Sequence, residues 1–130
     1  MLRSLIDMTH CLIVDGRKES RTRVEDLLTP FGFDIEQAES NEEALSICSS
    51  AMPDMIFLSD QAGPRDTFRF LKRLKATARR RGDSPVVLMC ADSADEEFIG
   101  SAIWNGAADC LMQPFDQAVL EDKLKRFGFA

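Results

Sequence analysis

Apolar residues follow two rhythms along this chain. In the first they stand side by side in short runs closed by turn residues. Met55-Ile56-Phe57-Leu58 lies between Pro53 and Gly63-Pro64, and Cys11-Leu12-Ile13-Val14 ends on Asp15-Gly16. A short continuous apolar run between turn signals predicts a strand buried on both faces, as at the centre of a parallel sheet. Strands are predicted over His10–Val14, Phe33–Ala38, Pro53–Asp60, Pro85–Ala91 and Ala108–Met112.

In the second rhythm apolar residues recur every three or four positions, which gives a helix one buried face. Val24, Leu27 and Leu28 mark a helix over Glu19–Thr29, stopped by Pro30 and Gly32. Ala44, Leu45, Ile47 and Cys48 mark one over Ser40–Ser49, with Ser40 as N-cap and Glu43 completing a capping box. Phe68, Leu71, Leu74 and Ala78 face inward on a third, Thr67–Arg80, which Gly82 ends. Asp95–Asn105, stopped by Gly106, and Asp116–Arg126, with Val119, Leu120 and Leu124 inward, complete the set. Strand and helix alternate with short connections. Right-handed crossovers then give an α/β domain, a parallel sheet with helices on both faces. Residues 1–9 stand outside the pattern as an N-terminal extension, and 10–130 form a single domain.

Composition narrows the picture. No apolar run approaches the roughly 18 residues of a membrane span, and Met1–His10 lacks the apolar core of a signal peptide. A cytoplasmic protein without a membrane partner is expected. Cys11, Cys48, Cys90 and Cys110 show no metal-binding spacing, so buried reduced thiols are expected and no metal. His10, the one histidine, reads as a residue at the edge of the first strand. Charge is uneven. Arg65–Arg81 holds eight basic residues and one acid; with the chain at −6 and this segment at +7, the remainder carries −13.

In open sheets of this kind ligands meet the carboxyl ends of the central strands. The third strand presents Ser59 and Asp60 there, and the first presents Asp15 and Gly16. These ends lie within a wider set of matches: Cys11–Asp15, Phe31-Gly32-Phe33, Ala38–Leu45, Met52-Pro53-Asp54, Gly106–Asp109 and Gln113-Pro114-Phe115. In order and spacing they resemble the receiver domain of bacterial two-component response regulators, the CheY-like fold. The resemblance covers His10 to about Gly128. It implies a doubly wound (βα)5 flavodoxin-like fold, with a five-stranded parallel sheet in strand order 2-1-3-4-5.

Receivers of this kind take a phosphoryl group from a kinase histidine onto an aspartate that ends the third strand. The resemblance also implies an acidic pair for Mg²⁺, a hydroxyl ending the fourth strand, and a lysine ending the fifth. Here the acidic pair is Asp15 and Gly16, and the lysine is Gln113. The hydroxyl falls on Ala91 counting back from Gly106 and Gln113, or on Cys90 counting forward from Pro85. The aromatic switch position falls on Cys110. Counting from Pro53 puts Ser59 at the phosphoacceptor; the spacing to Pro64 puts Asp60 there. Phosphoryl transfer rests on positioning and electrostatics, so a pseudo-receiver is expected, not an enzyme, with Mg²⁺ binding weak or absent.

Two kinds of function remain. The first is a phosphorylation-independent interaction module. Its partner would be a histidine kinase, a phosphotransfer protein, a motor component or another receiver, bound through the fourth-helix and fifth-strand face with Phe98, Trp104, Cys110, Met112 and Phe115. The second is binding of an anionic nucleotide such as cyclic di-GMP at the basic third helix. Arg73 and Arg79 are candidates there, with the RxxD pattern of Arg80-Arg81-Gly82-Asp83. Phosphorylation at Asp60 stands as an alternative. Specific DNA binding is not expected from one basic patch on an acidic domain without a helix-turn-helix unit.

Overall fold

The computed structural model describes residues 8–92 and 95–130. Five strands, β1 (His10–Val14), β2 (Asp34–Ala38), β3 (Met55–Ser59), β4 (Val86–Ala91) and β5 (Asp109–Met112), form one sheet. Every pairing is parallel and the order is β2-β1-β3-β4-β5. Five helices alternate with the strands: α1 (Lys18–Leu28), α2 (Asn41–Ser50), α3 (Pro64–Arg81), α4 (Glu96–Trp104) and α5 (Gln117–Arg126). The residue 1–9 extension lies almost wholly outside the described residues; within it, the Thr9 carbonyl accepts the Asp34 N–H at 2.9 Å.

Strand geometry sends alternate side chains to opposite faces, and the two cores follow that alternation. Leu12, Val14, Ile56, Leu58 and Met89 pack on one face with Ala44 and Cys48 of α2, Phe70, Leu71 and Leu74 of α3, and Ala102 of α4. Cys11, Ile13, Met55, Phe57 and Leu88 pack on the other with Val24 and Leu28 of α1 and Leu120 and Leu124 of α5. All five residues of β3 are buried. Truncating a buried ring such as Phe57 in a core of this kind costs about 3–5 kcal/mol.

Several local expectations change. α3 starts at Pro64, three residues before Thr67, because proline at the first helical position gives up only an N–H with no helical partner. Gly63, at φ +87°, makes the entry, and Gly82, at φ +74°, makes the left-handed exit. Thr67 and Phe70 are buried, while Phe68 is half-buried and stacks on Phe98 at 5.5 Å. Ser40 caps α2 by accepting the Glu43 N–H at 3.1 Å, but the Glu43 carboxylate reaches back to the Glu39 N–H. Val119, expected inward, is 43% exposed. His10 gains a partner, its Nδ1 lying 2.7 Å from Asp34 Oδ2.

Candidate functional site

Polar groups gather at the carboxyl ends of β1, β3, β4 and β5, and one arginine links three of these ends. Arg17 is the N-cap residue of α1, in extended conformation, and its side chain makes no cap hydrogen bond. A cation there opposes the helix dipole, so the placement serves the pocket and not the helix. The guanidinium forks onto Asp15, with Nε 3.2 Å from Oδ1 and Nη2 3.2 Å from Oδ2. Nη1 donates to Asp92 Oδ2 at 3.0 Å, and Nη2 lies 3.5 Å from Gln113 Oε1. One guanidinium therefore joins the ends of β1, β4 and β5. The Arg17 backbone N–H also donates to Asp15 Oδ1 at 2.9 Å. The hydrogen bond to Asp15, foremost, raises the Arg17 pKa above its usual value.

A second arginine holds this corner from below. Arg21 is buried, and its Nη1 donates to the Asp15 carbonyl at 2.7 Å. Its Nε donates to Gln37 Oε1 at 2.9 Å, tying β1 to β2. Neither arginine was singled out from the sequence. The signal lay in the α1 stripe: stepping back from Leu28 and Val24 by helical spacing lands on Arg21 and then Arg17. Two cations on the inward face of a helix need acidic or carbonyl partners at its amino end.

The sequence candidates separate around this centre. Ser59 ends β3, is buried, and uses its Oγ to accept the Gln61 N–H at 3.1 Å. Asp60 follows on the β4 side. Its N–H donates to the Cys90 carbonyl at 3.1 Å, and its Oδ2 accepts the Asp92 N–H at 3.3 Å. Burial raises the Asp60 pKa, the Asp92 carboxylate adds to the rise, and Arg17 opposes it. Cys90 pairs with Ser59 in the sheet, and Ala91 is the last residue of β4; both are buried. Gln113 keeps a buried Nε2 without a hydrogen-bond partner. Beside Gly16 there is room for a side chain, the nearest atoms to an added Cβ being the Glu39 carbonyl oxygen at 3.6 Å and Gln61 Oε1 at 3.7 Å.

This donor set does not fit Mg²⁺. Both Asp15 oxygens are taken by a guanidinium, Gly16 offers no ligand, and the nearest other carboxylates serve Arg17 and a backbone N–H. Among the described residues no group of three or more His, Cys, Asp and Glu side chains is placed to hold a metal.

The remaining candidates also divide. Arg73 lines an open cleft of about 560 Å³ beside Asp15, Ser59 and Glu42, whereas Arg79 lines a different cleft at the far end of α3. In the RxxD pattern Asp83 pairs with Arg81, at 3.2 Å, and not with Arg80. Arg81 is further held to the Ser49 carbonyl at the end of α2, at 3.1 Å. On the expected interaction face Trp104 is 87% exposed and Met112 is exposed. Phe98 and Phe115, expected there as anchors, are half-buried and pack against opposite cores, and Cys110 is half-buried too. Ile103 of α4 is exposed as well.

Comparison with known proteins agrees with this architecture. Residues 11–125 match the family model described as the response regulator receiver domain, and the chain belongs to that family. It is a receiver domain of the two-component response regulators. It is 29% identical over 114 residues to the phosphate regulon transcriptional regulatory protein PhoB of Klebsiella pneumoniae, a match spanning 88% of this chain and 49% of that protein. It is 26% identical to AfsQ1 of Streptomyces coelicolor, over 91% of this chain and 50% of the relative. The chain thus spans about half the length of the curated relatives it matches. Among solved structures, the chemotaxis protein CheY4 of Vibrio cholerae superposes with a TM-score of 0.80 at 25% identity, covering 92% of this chain and 98% of that one. The receiver domain of Ssk1 from Saccharomyces cerevisiae, crystallised with the histidine phosphotransfer protein Ypd1, shares the fold with a TM-score of 0.81 at 17% identity, covering 93% of this chain and 89% of that one. No helix among the described residues is long and apolar enough to cross a membrane.

Proposed function

We propose that this receiver domain is a pseudo-receiver, a protein-interaction module of bacterial signal transduction that works without phosphorylation. The observation that carries the reading is Arg17. Its guanidinium stands among Asp15, Asp92 and Gln113, where phosphoryl chemistry needs room and a free pair of carboxylates. A tethered cation neutralises the pocket from inside the chain. It does what a metal and a lysine would do for the charge, and it occupies both Asp15 oxygens that an incoming cation would need.

The interaction surface is the face formed by α4, β5 and α5. Ile103 and Trp104 of α4, Met112 of β5 and Val119 of α5 are the large hydrophobic side chains exposed among the described residues. All four fall on those three elements, and a cluster of this kind suits a protein partner. A histidine kinase, a phosphotransfer protein, a motor component or another receiver would fit. Incubation with acetyl phosphate and Mg²⁺ followed by intact-mass measurement tests the reading: no phosphoryl adduct is expected. An adduct lost in Asp60→Asn would instead support the alternative of an atypical receiver.

A further inference from the structure

Helix α3 carries a second surface that the pseudo-receiver reading does not use. Its eight basic residues are all exposed. At about 100° per residue, seven of them (Arg65, Arg69, Lys72, Arg73, Lys75, Arg79, Arg80) fall within an arc of roughly 160°. That arc lies opposite the buried Thr67, Phe70, Leu71, Leu74 and Ala78. Of the eight, only Arg81 has an ion-pair partner among the described residues, Asp83. Like charges stand at helical spacing along the whole face, as in Arg65–Arg69, Arg69–Arg73 and Lys75–Arg79, and such pairs destabilise a helix. The chain has acids in excess and uses them elsewhere: α1 and α5 mix both signs. A face merely wetted by solvent would do the same.

The two ends of this face differ. At the amino end of α3 the acidic first turns of α2 (Glu42, Glu43) and α4 (Glu96, Glu97) stand at the same edge of the domain. At the carboxyl end the turns that follow α2 and α4 carry one acid, Asp54, whose carboxylate accepts the His10 N–H at 2.9 Å. There a cleft of about 300 Å³ opens between α3 and the turn at Gly106. Leu71, Leu74, Ala78 and Val87, each at most 5% exposed, form its apolar floor, and Lys75 and Arg79 stand beside them. Asp83, also at the cleft, is neutralised by Arg81.

We infer that this cleft docks a short acidic segment of a partner protein, with an apolar side chain in the cleft and carboxylates on Lys75 and Arg79. An apolar floor serves a peptide side chain and has no use to a phosphate backbone. A nucleic-acid duplex, with one charge per ~1.7 Å, would run past the ~22 Å of basic helix onto the acids at the other end. An anionic membrane would meet the same acids.

The test is fluorescence anisotropy of a labelled peptide of glutamates interspersed with leucines, titrated with the full chain. An all-glutamate peptide, single-stranded DNA and phosphatidylglycerol vesicles serve as comparisons. The leucine-containing peptide should bind saturably and about tenfold more tightly than the all-glutamate one. Lys75→Gln/Arg79→Gln, which changes only exposed side chains, should abolish binding, while Arg65→Gln and Trp104→Ala should leave it intact. Equal affinity for both peptides, equal loss in Arg65→Gln, or tighter binding of DNA or vesicles would overturn the inference. Loss in Trp104→Ala alone would move the peptide to the α4–β5–α5 face and overturn it as well.

Discussion

Replacing Arg17 with alanine removes the guanidinium that holds the pocket together. The variant loses two contacts to Asp15 at 3.2 Å and one to Asp92 at 3.0 Å. It keeps the backbone N–H to Asp15 at 2.9 Å. The Asp15 side chain is 5% exposed and that of Arg17 is 34% exposed. Stripping the partner from a fully buried carboxylate costs about 3–5 kcal/mol. Here a third of the arginine faces water, one backbone bond survives, and removing a cation from a helix amino end returns a few tenths of a kcal/mol. About 2 kcal/mol of lost stability remains, a fall in melting temperature of roughly 6–10 °C for a domain of this size. Urea unfolding followed by circular dichroism would measure it, with an unchanged slope showing that the fold is kept. Arg17→Lys keeps the charge but not the fork and should fall between. A melting temperature for Arg17→Ala within about 1 °C of the parent would refute the reasoning, because the guanidinium would then be a surface group without structural weight.

Other consequences follow from neighbouring groups. Burial raises the Asp60 pKa. Its ionised form therefore costs stability above the folded value, and that cost disappears as pH falls below the ordinary aspartate range. Asp60→Asn should stabilise the domain at neutral pH, with the gain shrinking toward pH 4 in a series of unfolding curves. Asp109 behaves in the opposite sense. Burial works upward on its carboxyl, but Lys123 at 2.7 Å, the Cys110 N–H and Arg126 outweigh it and hold the pKa below the usual value. Asp109→Asn should cost about 1–2 kcal/mol at pH 7, discounted for the exposure of Arg126, and the loss should vanish as pH falls through the depressed value. Burial, aided by the Asp54 and Asp34 carboxylates, pushes the Cys11 thiol up to about 12. Burial, with Arg81 opposing, pushes Cys48 up to about 11. Thiol titration at neutral pH should find Cys110, the one cysteine that is not fully buried, reacting first, and all four only after denaturation.

The fold was legible because its signals are local and redundant. β1, β3 and β4 are continuous apolar runs, and helix stripes fill the gaps between them. The sheet order came from the resemblance and not from the residues. That Gly16 has no carboxylate and Gln113 no charge was legible too, since each shows in the sequence by itself. The contacts of Arg17 were not. Arg17 joins Asp15, Asp92 and Gln113, the last of them 96 residues away, and no spacing rule reveals such a meeting. The start of α3 was misplaced because Pro64 after Gly63 reads equally as a turn or as the first residue of a helix. Val119 looked like core because helical spacing locates a stripe without saying whether anything covers it.

We propose that Arg17, by holding Asp15, keeps phosphoryl chemistry from the strand ends. Amide NMR spectra of the labelled chain, with and without Mg²⁺ and beryllofluoride, test it most directly. No shifts are expected at Asp15, Ser59, Asp60 or Gln113. Concerted shifts at those residues that spread to α4 would contradict it and would make Asp60 the phosphoacceptor of a working receiver.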